Sequence, residues 1–127
     1  MKKIAVILSV LLAGCATQGQ VLTQNLSPHQ NYRLQGQEKA IEFTGSVQKI
    51  VAGEGLSQGW YHELKVFIDG ELAIKGHLDV NYFGEPTGEW HGKKTAANCT
   101  SVRVSETWLN TSCIVFIDNE RTVTLTF

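Results

Sequence analysis

Several things are scarce or missing in this chain, and each gap excludes a class. Proline is rare, two in 127 residues, and the apolar share is an ordinary 43%, which excludes wholesale disorder. Basic residues do not dominate. The 11 Lys and Arg are matched by 12 Asp and Glu, so the electrostatic footprint of a nucleic-acid binder is absent. There is no HExxH, no CxxC and no close histidine pair, so nothing in the sequence calls for a metal or a cofactor. Gly-rich phosphate loops and GxSxG elbows are missing too. No segment carries a helical apolar stripe, and the length suits one small domain.

What is present begins with an address. Lys2 and Lys3 precede an apolar run, Ile4 to Leu12, broken only by Ser9. That run is shorter than the ~20 residues needed to span a bilayer and suits the core of a secretory signal peptide. It ends in Leu12-Ala13-Gly14-Cys15, which resembles a bacterial lipobox. The resemblance implies cleavage after residue 14, acylation of Cys15 with palmitate-type chains, and a protein anchored to a membrane without crossing it. Two or three chains hold firmly where one holds only marginally. Ala16, where an Asp would signal retention in the inner membrane, resembles the sorting of an outer-membrane lipoprotein facing the periplasm of a Gram-negative cell. Loss of Lys2 and Lys3 with the signal leaves nine basic and twelve acidic residues, a formal charge of −3. Such a domain has no electrostatic reason to lie on anionic lipid.

Residues 15–39 read as the lipidated cysteine and a Gln-rich tether. Apolar residues are scattered there without period, and Ser27-Pro28 is a breaker signal. A first strand around Tyr32-Arg33-Leu34 is the alternative. From residue 40 to 127, short runs rich in Val, Ile, Thr and Phe alternate with Gly, Asp and Asn, the signature of an all-β domain.

A repeat organises that domain. Val66-Phe67-Ile68-Asp69-Gly70-Glu71 returns as Val115-Phe116-Ile117-Asp118-Asn119-Glu120. Gly70 and Asn119 suit positive φ, so both copies read as hairpins. A three-residue loop, pairing Phe67 with Glu71 and Phe116 with Glu120, gives each hairpin one apolar face. It sets Glu63 opposite Lys75 and Tyr61 opposite His77. The expected fold is a small antiparallel β-sandwich or squashed barrel with two similar hairpins. A further hairpin turning about Glu106 places Cys99 opposite Cys113. In an exported protein whose third cysteine is acylated, those two pair as a disulfide.

Candidate site residues are few. Trp60, Trp90, Trp108, Phe67 and Phe116 are aromatics able to stack on sugar rings or anchor a protein partner, unless a second layer covers them. His62, His77 and His91 are the residues around which an enzyme or enzyme accessory would be built. Glu89 with His91, and Tyr61 with His77, are the pairs that would supply ligands. The C-terminal run Val123 to Phe127 resembles the last strand of outer-membrane barrels. Eight spanning strands would consume nearly the whole domain, however, and Glu63, Lys65 and Lys75 would face lipid. The reading that results is a membrane-anchored envelope lipoprotein, a non-enzymatic binding or structural module. Its partner beyond the membrane would be an envelope protein or a polysaccharide, not nucleic acid. The alternative is the histidine-based enzyme.

Overall fold

The computed structural model describes residues 20–53 and 59–127. The signal segment and Cys15 lie outside the described residues. The fold is all-β: β1 (Gln20–Leu26), β2 (Gln30–Tyr32), β3 (Ile41–Ala52), β4 (Gly59–Ile68), β5 (Glu71–Leu78), β6 (Thr87–Trp90), β7 (Lys93–Ser105), β8 (Trp108–Ile117) and β9 (Glu120–Thr126). All join one antiparallel sheet, in which β3 to β9 follow one another in order while β1 and β2 share one edge of β3. The sheet curls until β9 lies against β2 and β3. Its concave face encloses Phe43, Leu64, Val66, Ile68, Val115 and Leu125, all fully buried.

The segment expected to be a tether is part of this sheet. β1 and β2 pair with β3 from Gln20↔Val51 to Tyr32↔Ile41, and Leu34 is buried in the core. Ser27-Pro28 does not end the strand pairing. The Ser27 N–H donates to the Gly45 carbonyl at 2.9 Å, and the Ser27 hydroxyl accepts the Gly45 N–H at 2.9 Å. One residue thus carries the edge strand round a bend from β1 to β2 with its hydrogen bonds intact.

The hairpins stand where the repeat places them, with a different turn. Ile68 pairs with Glu71 and Ile117 with Glu120, so each loop has two residues, not three. Asp69 and Gly70 have φ of 50° and 80°, and Asp118 and Asn119 have 47° and 68°. Two successive positive φ angles make the tight turn whose twist matches a hairpin. The Asp is held from outside the hairpin. The Asp69 carboxylate accepts the Glu42 N–H, and the Asp69 N–H donates to the Glu42 carbonyl; Asp118 does the same with Lys94. A bulge just beyond each turn then shifts the register by one. Glu63 therefore faces His77 instead of Lys75, and Lys65 faces Lys75. The bulge also leaves Leu72 exposed and Ala73 buried, while Ile74 and Leu78 lie inside.

The likeness of the two halves extends well past the hairpins. Phe43↔Ile68, Val47↔Leu64 and Lys49↔His62 in β3–β4 match Thr95↔Ile117, Cys99↔Cys113 and Ser101↔Thr111 in β7–β8. Gln30↔Phe43 in β2–β3 matches Gly88↔Thr95 in β6–β7. The disulfide joins Cys99 and Cys113 at the place where the other half packs Val47 against Leu64. The turn of its hairpin is Glu106-Thr107, with a bulge between Arg103 and Ser105. Val102, three residues past Cys99 in unbroken register, falls on the opposite face, and Val104 stands exposed at the bulge.

The same correspondence shows how the sheet closes. At the β5–β6 seam, Gly88 lies so close to β5 that an added Cβ would sit 2.0 Å from the Ala73 carbonyl oxygen. The matching β9–β2 seam has Gln30 in that place, and a side chain replaces the close approach: the Gln30 amide donates to the Thr124 carbonyl. The glutamate at the start of each second strand ties its own seam. Glu71 pairs with His91 at 2.7 Å, and Glu120 accepts from the Tyr32 hydroxyl at 2.8 Å, a bond that raises the phenol's pKa.

Candidate functional site

The antiparallel order gives the curled sheet two unlike ends. One end carries the turns Asp69-Gly70, His91-Gly92 and Asp118-Asn119, and it is closed by Leu34, Ile41 and Trp90. At the other end β1 begins, β3, β5, β7 and β9 finish, and β4 and β8 start. There β1 and β9 stand apart, and the concave face opens as a recess of about 450 Å³. Thr23 and Asn25 from β1, Leu109 and Thr111 from β8, and Phe127 after β9 form its walls, with Tyr82 and Trp108 at the rim.

Of the residues lining the recess, Tyr82 is held by His62 beneath it. Register brings His62 beside Lys49 on β3 and Leu78 on β5, and it is almost wholly buried. Its ring stacks on Tyr82, centroids 3.7 Å apart, and meets the Trp60 ring edge-on at 5.3 Å. Nδ1 lies 2.9 Å from the Asp79 carbonyl oxygen, to which neutral His62 donates. Burial pulls the imidazole pKa below its ordinary value. The Asp79 carbonyl opposes this, and the nearby Lys49 ammonium adds to it. Tyr82 is held at φ 67° by the turn it closes. In that turn the Asp79 carboxylate accepts the N–H groups of Asn81 and Phe83, at 2.8 and 3.0 Å. Lys49 stands 4.2 Å over the Trp60 ring.

Polar and apolar groups line the recess together, and exposed apolar side chains gather in the half of the molecule around it. Among the described residues ten large hydrophobic side chains stand well exposed, and only Leu26 and Leu72 lie away from this half of the molecule. The hairpin tip of β7–β8 contributes Val102, Val104 and Trp108, the last 59% exposed; Trp60 is 43% exposed.

The five aromatics singled out in the sequence therefore divide. Trp60 and Trp108 share the open end. Trp90 is buried in the core at the closed end, stacked on His91 at 4.1 Å, its Nε1–H without an acceptor among the described residues. Phe67 and Phe116 lie half-covered on the convex face, each lining a groove beside its own hairpin turn, of about 380 Å³ at Phe67 and 440 Å³ at Phe116, comparable in size to the recess. The three histidines do not converge. His62 is inside the open end. His77 is exposed on the convex side, tilted against Tyr61 at 4.1 Å, and His91 sits in the turn at the far end. Among the described residues no group of three or more His, Cys, Asp or Glu side chains could hold a metal ion.

Sequence reasoning missed the recess and the roles of Lys49, Tyr82 and Asp79. Asp79 and Asn81 are turn-forming residue types. No sequence signal marks Tyr82 as a stacking partner, because its contact with His62 depends on a positive φ. Compared with protein families, with curated proteins and with solved structures, the chain matches none.

Proposed function

We propose that this protein is a bacterial envelope lipoprotein, acylated on Cys15, whose β domain is a non-enzymatic binding module. We place its binding surface at the open end, around Trp60 and Trp108. The observation that carries this reading is the concentration of exposed apolar side chains at one end of an otherwise polar domain. Large exposed apolar patches mark interaction surfaces, and tryptophans dominate the energetics of many of them. The lipobox resemblance supplies the address, outer membrane and periplasm. His62, His77 and His91 lie too far apart to build one site together, and this favours the binding reading over a site shared among them.

The test has two arms in intact cells. Metabolically supplied palmitate should label the wild type and not Cys15→Ser, which should keep its signal segment. A photo-crosslinking residue in place of Trp108 should form adducts, while one in place of Lys75 on the convex face should not. Labelled Cys15→Ser would overturn the anchor. Equal capture at both positions would remove the open end as the binding surface.

A further inference from the structure

We infer that the occupant of the open end is the lipid surface itself, so that the domain sits mouth-down on the membrane that holds its anchor. This rests on the lipoprotein reading of Cys15 and deepens it. Its starting point is the position of β1. Among the described residues the sheet begins at Gln20, five residues beyond Cys15. At ~3.6 Å per residue, those five can span at most about 18 Å. The long tether read from sequence is largely consumed by β1 and β2, and the domain cannot stand far off.

Gln20 is also at the apolar end. It pairs with Val51, and Val51 pairs with Trp60, so Trp60 is two strands away, roughly 10 Å at the usual strand spacing. The anchor thus pulls down the end that carries Trp60, Trp108 and Val102, and it leaves the charged turns pointing away. Tryptophan rings favour the boundary between lipid headgroups and hydrocarbon. Lys49 and Arg103 stand at the same end, where their charges suit lipid phosphates. Anchoring makes contact an intramolecular step, so a weak apolar interface suffices. Among the described residues at this end, the carboxylates of Asp79 and Glu106 offset Lys49 and Arg103, so contact there rests on the apolar side chains and not on net charge.

The experiment uses the mature acylated protein in vesicles of phosphatidylethanolamine and phosphatidylglycerol, with acyl chains brominated near the headgroup as fluorescence quenchers. Wild type, W60F, W108F and W60F/W108F all keep the buried Trp90, so the core is not disturbed. The wild-type emission should be strongly quenched, each single variant should lose part of that quenching, and the double variant should lose nearly all of it. Quenching of the double variant equal to wild type would overturn the inference. So would unquenched wild type with acyl chains on Cys15 confirmed by mass spectrometry, a result that leaves the anchor standing and makes a protein or polysaccharide captured at position 108 the occupant. An unacylated Cys15 would overturn both the inference and the lipoprotein reading beneath it.

Discussion

His62 shows how one buried side chain links the open end to solution conditions. Its pKa is lowered in the folded protein, chiefly by burial, so as pH falls the unfolded chain takes up a proton first. The stabilisation is fully present above the ordinary histidine value of about 6.5 and is lost as pH drops below it. Thermal melts should show the wild-type midpoint falling from about pH 7 to about pH 5 more steeply than that of His62→Gln, whose side chain does not titrate. Parallel slopes would mean that His62 is not the group responsible. The turn residues give a second test at this scale. Gly70 has φ 80° with open space around it, so a side chain there costs conformational energy alone. Gly70→Val should lose about 1–2 kcal/mol. Asn119, at φ 68°, already tolerates that region, and Asn119→Gly should be nearly neutral. Equal losses in denaturant titrations would contradict the shared turn.

Among the elements, the paired hairpins make the disulfide's contribution separable from its packing. Closing the loop between Cys99 and Cys113, 14 residues apart, contributes ~3 kcal/mol in the chain-entropy model. C99V/C113L copies the Val47–Leu64 pair of the other half. It should lose that contribution but less in total than C99A/C113A, which also removes cross-strand packing. Gly88→Ala should cost roughly 3 kcal/mol or more, because its Cβ would meet the Ala73 carbonyl and force β5 and β6 apart. The elements also show what was legible beforehand. The Asp-Gly and Asp-Asn turns could be read because positive φ has a residue signature. Their two-residue length was signalled by the same Asp-Gly pair, but a three-residue loop keeps one apolar face without a bulge, and the bulges at Val66/Phe67 and Ile114/Phe116 leave no such signature. Alternation still revealed the inward face, because the bulge restores parity beyond Leu72. β1 was invisible because an edge strand at the open end has little to bury. Val21, Leu22 and Leu26 are all exposed, and pairing through backbone alone leaves no pattern. The repeat was seen only at its hairpins, because matching positions elsewhere differ in chemistry: Cys99 and Cys113 against Val47 and Leu64, Ser101 and Thr111 against Lys49 and His62. The recess escaped notice for a related reason, since Thr23, Tyr82, Trp108 and Phe127 come from four separate stretches of chain.

For the whole molecule, the central claim is polarity: an apolar, open end that makes contact, and a charged end that faces water. The cysteine inventory makes this directly measurable. With Cys99 and Cys113 bonded to each other, and Cys15 acylated as proposed, an introduced cysteine would be the single free thiol. Val104 at the open end and Arg121 beside the far turn are both exposed in the free domain. The measurement is the rate at which a membrane-impermeant maleimide labels Val104→Cys and Arg121→Cys in sealed envelopes prepared with the domain facing the reagent. Both rates are referred to urea-unfolded protein with the disulfide intact. Arg121→Cys should label rapidly and Val104→Cys should be strongly protected. Equal rates at the two positions would contradict a domain that meets its partner through the open end.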